Sequence, residues 1–410
     1  MKINPIRGTH DLFGKEIEKF NRIILEVRDT AGKFGFSELN TPIFESSELF
    51  KKPLGEQSDV VLKEMYTFSD RNENEITLRP EYTTPMIRAA IYNGLLNKLP
   101  AKFFGTGPMF RRERPQKGRY RQFHQINFEN FGSDDFFADI EIICLANTLL
   151  KKLIPHSNFK LHINSLGSRK NLKDYKKILA KFFNDNKKFL SKESIDKINT
   201  NPLRILDSKN IEDKEIVQKS PKIIELISKK DIQNYEEIKK CIVELGIPIF
   251  EDSNLVRGLD YYCHTVFEFK TSELGSQDTL IGGGRYDGLI KTLGGKDLPG
   301  VGWAGGIERI VLLMKDNIQK ESHIHLAILN PGFRTHAIKV YDFLIQNNFS
   351  VYWNYKYNLK KSLSLASEKK ANYLIIIGEN EKINNNFSIK NLSTGEQVSL
   401  NIDDILDYLQ

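Results

Sequence analysis

The sequence predicts an α+β protein in three parts. An antiparallel sheet with packed helices is built from residues 1–165 and 246–320, a helical stretch at 166–245 interrupts it, and an α/β module follows over 323–410. Three observations carry this. The stretch Phe103 to Gly132 holds two alternating runs around a turn, which is the pattern of an antiparallel hairpin. Residues from about Gly167 to Gly246 are lysine-rich and helically spaced. From His323 onward, short apolar strands alternate with amphipathic helices.

Length and composition fit such a chain. At 410 residues it can build two or three domains with real cores, and its net charge of +7 permits a nucleic-acid partner without requiring one. Cys144, Cys241 and Cys263 lie far apart with no CxxC spacing. This is neither a disulfide framework nor a zinc site, and it suits a reducing cytosol. The opening MKINPIRGTHDLFG lacks the apolar core of a signal peptide. No apolar run approaches the roughly 18 residues of a membrane helix. A cytoplasmic protein is therefore expected.

Taken in order, Glu16 to Phe34 places Ile17, Phe20, Ile23, Ile24, Val27, Ala31 and Phe34 on one helical face. In Thr77 to Pro85 a short strand ends at Pro80, and Thr83 or Thr84 begins a helix running to Asn93. Two readings stand there: Glu81 and Thr83 hold an ammonium group, or Thr83 is a cap and Glu81 a first-turn charge.

The hairpin comes next, as a strand over Phe103 to Phe110, a turn at Pro115-Gln116-Lys117-Gly118, and a return strand over Gln122 to Phe131. Five of the chain's seventeen arginines lie between Arg111 and Arg121, although 43 of its 60 basic residues are lysine. Arginine concentrated in a lysine-rich chain points to bidentate pairing with phosphate or carboxylate, which an ammonium cannot make. Alternation would set Arg111 and Glu113 on one face of the first strand, and Gln125, Asn127 and Glu129 on one face of the second. That set suits a small zwitterion plus a nucleotide. The competing reading is a basic hairpin that binds nucleic acid without chemistry.

Asp139 to Leu153 reads as an amphipathic helix. Leu166 to Leu245 then carries 19 basic and 13 acidic residues, which is nearly all the excess charge of the chain. It is either a solvated helical domain or one that leans on nucleic-acid phosphates. Arg257-Gly258-Leu259-Asp260-Tyr261-Tyr262 packs a phosphate partner beside phenolic hydroxyls that can bond an imidazole, and Thr265 to Phe269 follows as a strand. In Gly282-Gly283-Gly284-Arg285-Tyr286-Asp287-Gly288 the glycines allow close backbone approach or simply make a turn.

Gly300-Val301-Gly302-Trp303-Ala304-Gly305 matches GxGxxG, but Asp297-Leu298-Pro299 breaks the strand a dinucleotide site needs. A strand over Val301 to Gly306 leading into a helix from Glu308 to Lys315, with Arg309 in its first turn, fits a phosphate site better. In the module after His323, charge nearly balances, at nine basic and eight acidic residues. His323 and His325 alone do not make a metal site.

These strings resemble the histidyl-tRNA synthetases, a family of class II aminoacyl-tRNA synthetases. Phe110 to Pro115 with Arg121 to Gln125 resembles motif 2. Arg7 to Asp11 resembles the N-terminal signature, Phe36 to Pro42 is the best candidate for motif 1, and Arg79 to Thr83 resembles a histidine-binding element. Asn201 to Lys209 resembles part of the family's insertion domain. RGLDYY at 257–262 and GGGRYDG at 282–288 resemble the two histidyl signatures, and Val301 to Arg309 resembles motif 3.

The resemblance implies a class II synthetase catalytic domain with a helical insertion and a C-terminal anticodon-binding domain. It implies a histidine–tRNA ligase that uses ATP with Mg²⁺ and acts on tRNA(His), as a homodimer. By resemblance Arg257 and Arg111 are catalytic, Arg111 at the α-phosphate. Glu81, Thr83, Arg111, Gln125, Glu129, Arg257, Tyr261, Tyr262 and Tyr286 bind histidine. Arg111, Glu113, Arg119, Phe123 and Arg309 bind ATP, with Glu113 at the adenine edge, Phe123 stacked on the base and Arg309 on the γ-phosphate. Gln116, Lys117 and Arg119 face the acceptor end of tRNA. No protein-held metal is implied. A non-catalytic regulatory relative, or an RNA-binding protein with a degenerate catalytic domain, would lack either the arginine set or the C-terminal module.

Overall fold

The computed structural model describes residues 3–55, 58, 60–275, 278–316 and 323–409. The chain divides into two compact units, Met1–Lys315 and Asp316–Gln410. The expected end of the first part at 320 lies outside the described residues.

In chain order the first unit holds β1 (Ser37–Glu38), β2 (Phe44–Ser46), β3 (Tyr66–Ser69), β4 (Glu75–Leu78), β5 (Ala101–Phe110), β6 (Gln122–Phe131), β7 (Lys160–Ser165), β8 (Ile249–Glu251), β9 (Cys263–Lys270), β10 (Thr279–Arg285) and β11 (Gly300–Gly306). Eight of them form one sheet in the order β1-β5-β6-β11-β10-β9-β7-β8. Its inner pairings are antiparallel, and only the outermost strands, β1 and β8, pair in parallel. A small antiparallel sheet, β2-β4-β3, stands beside it. Sequence patterning does not reveal the small sheet, because strands of three or four largely polar residues carry no readable period.

The pleat of β6 divides the sheet's two faces. Ile126 and Phe128 point into the core with Phe104 and Trp303. The rings of Phe104 and Phe128 stack 5.5 Å apart, and Phe128 lies 4.8 Å from Trp303. Over this face runs the helix Phe137–Leu153, which is apolar nearly all round because it lies between the sheet and the helices Gly14–Lys33 and Lys229–Glu244. The Trp303 Nε1–H donates to the Ile142 carbonyl at 3.1 Å and pins helix to sheet.

Between β7 and β8 the chain makes its helical excursion: Arg169–Asp185, Lys192–Lys197, Leu203–Leu206, Ile211–Gln218 and Lys229–Glu244. Three of these helices start on serine caps, at Ser168, Ser191 and Ser228. The apolar faces of the first four share a core with Tyr261, Tyr262 and Tyr286 on the opposite side of the sheet from Trp303. Tyr235, Ile238 and Ile242 of Lys229–Glu244 join the Trp303 core.

The second unit has a five-stranded sheet of β12 (His323–Ile328), β13 (Ser350–Trp353), β14 (Tyr373–Ile377), β15 (Phe387–Asn391) and β16 (Gln397–Leu400), ordered β13-β12-β14-β15-β16. The first three strands are parallel and the last two antiparallel. A helix at Glu379–Asn384, not apparent from the sequence, follows β14. Among the described residues no helix is long and apolar enough to cross a membrane.

Trp303 is 1% exposed and joins three core elements. Trp303→Ala is expected to cost about 3–5 kcal/mol, the usual range for emptying such a site. Urea unfolding of both proteins checks this.

Candidate active site

On the other face of the sheet lies a cleft of about 410 Å³. Its floor is β6, β11 and β10, and most of the residues singled out in the sequence meet there. Glu81, Thr83, Arg111, Glu113, Arg119, Phe123, Gln125, Arg257, Tyr261, Tyr262 and Arg309 all line it. Glu129 and Tyr286 are buried just beneath. Gln116 and Lys117 sit exposed at the tip of the loop, away from the lining.

Arg111 and Glu113 are not on a strand. Pairing ends at Phe110 opposite Gln122, so the alternation rule stops there, and both residues belong to the loop 111–121. The loop is held elsewhere: Arg111 N–H donates to Arg121 O at 3.0 Å, Arg112 N–H to Glu64 O at 2.7 Å, and Arg121 N–H to Gly8 O at 2.7 Å. The N-terminal Arg7-Gly8 string therefore buttresses the loop. Arg111 donates from Nε to Pro80 O at 2.7 Å and stands 5.3 Å from the Phe123 ring. Glu113 pairs with Arg119. Arg309 donates to Gly118 O at 3.2 Å and to Thr279 O at 2.6 Å, which ties the loop to β10. The helix that carries it spans Ile307–Leu313, shorter than its sequence pattern predicts.

The Glu81–Thr83 ambiguity resolves in part. Glu81 itself caps the helix Thr83–Tyr92, accepting from Thr83 N–H and Thr84 N–H at 2.8 Å each. Its charge stays in the cleft, stabilised by the helix start. The Thr83 hydroxyl donates instead to Glu129 at 2.7 Å. Tyr286 OH donates to the other Glu129 oxygen. Burial pushes the Glu129 carboxyl up to about 8, against those two hydrogen bonds, with Glu81 adding to the rise. Gln125 Oε1 is buried there with no partner among the described residues.

Arg257 pairs with Glu268 on β9 and lies 5.6 Å from the Tyr262 ring. Tyr261 packs against both neighbours, 4.6 Å from Tyr262 and 5.7 Å from Tyr286. Glu268 was not apparent as a site residue; a carboxylate between Phe267 and Phe269 was its only signal.

The glycines of β10 and β11 sit within strands, so the turn reading of Gly282 to Gly284 is overturned. They leave room for site side chains rather than marking a bend. A Cβ on Gly282 would collide with the Arg257 guanidinium, one on Gly302 with the Glu129 carboxylate, and one on Gly300 with the Tyr286 ring.

The cleft lining carries six basic and six acidic side chains. Loss of solvent and then the neighbouring Arg119 and Arg111 lower the pKa of Arg309, and loss of solvent also lowers that of Arg111. Its carboxylates are largely engaged. Glu308 accepts from His124 N–H at 2.9 Å and meets its Nδ1 at 2.8 Å, Glu113 holds Arg119, and Glu268 holds Arg257. This donor set does not fit a protein cage for Mg²⁺; it fits a cation carried mainly on phosphate oxygens. Elsewhere Cys263, His264 and Asp287 bring donor atoms within 4.8 Å of one another. Asp287 already accepts from Gly300 N–H at 3.2 Å, and burial pushes the Cys263 thiol up to about 12, so it stays a neutral spectator.

An antiparallel sheet whose arginine-bearing hairpin, glycine strands and following Arg309 surround one cleft is the catalytic fold of class II aminoacyl-tRNA synthetases. Within that class the chain belongs to the histidyl-tRNA synthetase family, whose model matches residues 8–310. An anticodon binding domain model matches residues 323–410. The histidine–tRNA ligase of Ehrlichia chaffeensis is 44% identical over 409 residues, covering 100% of this chain and 98% of that protein. That of Wolbachia pipientis wMel is 42% identical over 409 residues, covering 100% of both. A crystal structure of apo histidyl-tRNA synthetase from S. aureus matches with a TM-score of 0.82 at 30% identity, covering 100% of both chains.

The unliganded protein should register the Glu129 proton. Between about 4.5, the ordinary value, and about 8, the folded chain holds a proton that the unfolded chain has released. Stability therefore falls as pH rises through that window, by up to ~1.4 kcal/mol per pH unit. Glu129→Gln keeps the hydrogen-bonding shape and removes the slope. Urea unfolding at pH 5.5 and 8.5 should show the variant gaining on the wild type at the higher pH.

Proposed function

We propose that this chain is a histidine–tRNA ligase. It joins histidine to ATP as histidyl-adenylate with release of pyrophosphate, then transfers the histidyl group to the 3′-terminal adenosine of tRNA(His). The observation that carries this is the meeting of two dissimilar halves in one cleft. Arg111, Arg119, Arg257 and Arg309 supply phosphate partners. Glu129, held by Thr83 and Tyr286, and the buried Gln125 supply a small polar pocket beside them.

In this reading Glu81 and the Thr83 oxygen receive the α-ammonium group. Both still have acceptor capacity, since the Thr83 hydroxyl spends its one proton on Glu129. Gln125, Glu129, Tyr261, Tyr262 and Tyr286 surround the imidazole, and Arg111 and Arg257 reach the histidine carboxylate. That carboxylate attacks the α-phosphorus, the bond to the bridging oxygen breaks, and pyrophosphate leaves. Arg111 and Arg257 neutralise charge that builds on the α-phosphate. Glu113 reads the adenine edge, Phe123 stacks on it, Arg119 holds the nucleotide, and Arg309 takes the γ-phosphate. Mg²⁺ bound with ATP would offset triphosphate charge. Gln116, Lys117 and Arg119 meet the acceptor end of tRNA, and the 323–410 module meets the anticodon. The active form is a cytoplasmic homodimer.

The test is exchange of labelled pyrophosphate into ATP without tRNA. Exchange is expected with histidine and with no other amino acid. Arg257→Ala should slow it by roughly 10²–10³-fold, the scale for losing one transition-state donor. Binding of histidine without exchange would make the chain a sensor or regulatory subunit instead.

A further inference from the structure

The helical excursion is not a bystander to the cleft. Its short helix Leu203–Leu206 buries Leu203, Ile205 and Leu206 and turns Arg204 the other way. Arg204 and, a little further on, Lys209 line the same cleft as Arg119, Arg257 and Arg309. Two contacts fix the placement. Asn201 Nδ2–H donates to Asp260 Oδ1 at 3.2 Å, which ties the segment to the Arg257–Tyr262 loop. The guanidinium of Arg204 lies against Gly258, where an added Cβ would come within 3.3 Å of its NH1.

Arg204 is close enough to Arg119 to lower that residue's pKa, as Arg111 also does, with loss of solvent the larger cause. Arg119 and Arg111 in turn lower that of Arg309. Four guanidiniums from three separate chain segments thus line one cleft. Glu113 and Glu64 offset part of their charge, and a polyanion between them would offset more.

We propose that Arg204 binds the β- and γ-phosphates of ATP, so that the triphosphate bridges the helical excursion and the catalytic sheet. The inference rests on the ligase reading of the cleft and adds to it a ligand from outside the sheet. A phosphate rather than tRNA is the partner because Arg204 lines the cleft together with Arg119, Arg257 and Arg309, whereas Gln116 and Lys117 are exposed and outside that lining.

The test uses the full chain and compares wild type, Arg204→Ala and Arg204→Lys in pyrophosphate exchange, varying ATP and histidine separately. Arg204→Ala should raise the KM for ATP by roughly 10–100-fold, the effect of losing a charge-assisted hydrogen bond, and leave the KM for histidine within about twofold. Arg204→Lys should recover part of the loss. Calorimetric titration with ATP should show the same weakening, and it decides the matter even where the wild type fails to exchange, an outcome that would sink the ligase reading alone. Unchanged ATP affinity overturns the proposal. So does a fall in both affinities together with a lower melting temperature, which marks a packing role. Normal exchange with a raised KM for tRNA overturns it in favour of the acceptor strand.

Discussion

Strand β6 turns Ile126 and Phe128 toward the helices and Gln125, Asn127 and Glu129 toward the cleft. Side chains on a strand alternate with a period of two, so a slip of one residue would exchange the sets, burying the polar groups in the core and exposing the rings. Two constraints hold the register. The ring cluster of Phe104, Phe128 and Trp303 fills the space beneath, and ladders on both sides, to β5 and β11, pair β6 along most of its length. The pocket inherits its rigidity from the core on the reverse of the same strand.

The cleft then concentrates charge of both signs, with Gln125 Oε1 and both polar atoms of the Asn127 amide buried without a partner among the described residues. Carboxylates are spent on internal partners: Glu81 on a helix start, Glu113 and Glu268 on arginines, Glu308 on His124. Arg111 and Arg309 are held in part by backbone carbonyls. Pre-oriented dipoles and charges of this sort need little reorganisation when an anion enters, which is how such sites stabilise developing charge. Glu129 differs in kind. It is a carboxyl kept near neutrality by burial until a cationic or hydrogen-bonding ligand meets it.

Much of this was legible in the sequence, for reasons that can be named. The hairpin showed because ten-residue strands leave a clear alternation around a Pro-Gln-Lys-Gly turn. The arginines stood out against a lysine background. The alternation rule failed one residue past the last paired position, which put Arg111 and Glu113 on a strand they do not occupy. The cap read at Thr83 is Glu81 itself, the residue the proposed function also sets at the ammonium group. What stayed hidden depends on how the chain folds back. Glu268 meets Arg257 from eleven residues on, across a loop and a strand, and Arg204 arrives from the helical stretch, where the Asn201–Lys209 string carried no site role.

The glycines of β10 and β11 have one more consequence. Each leaves room for a side chain from a different segment: Gly282 for Arg257, Gly302 for Glu129, Gly300 for Tyr286. At Gly282 and Gly300 a methyl group is tolerable only if its counterpart shrinks, and a smaller counterpart gives up the site. At Gly302 the Phe128 carbonyl oxygen would also lie 2.5 Å from the added carbon, so a smaller residue 129 would not make room. Single-step drift is closed at all three positions, and at Gly302 a paired replacement is closed as well.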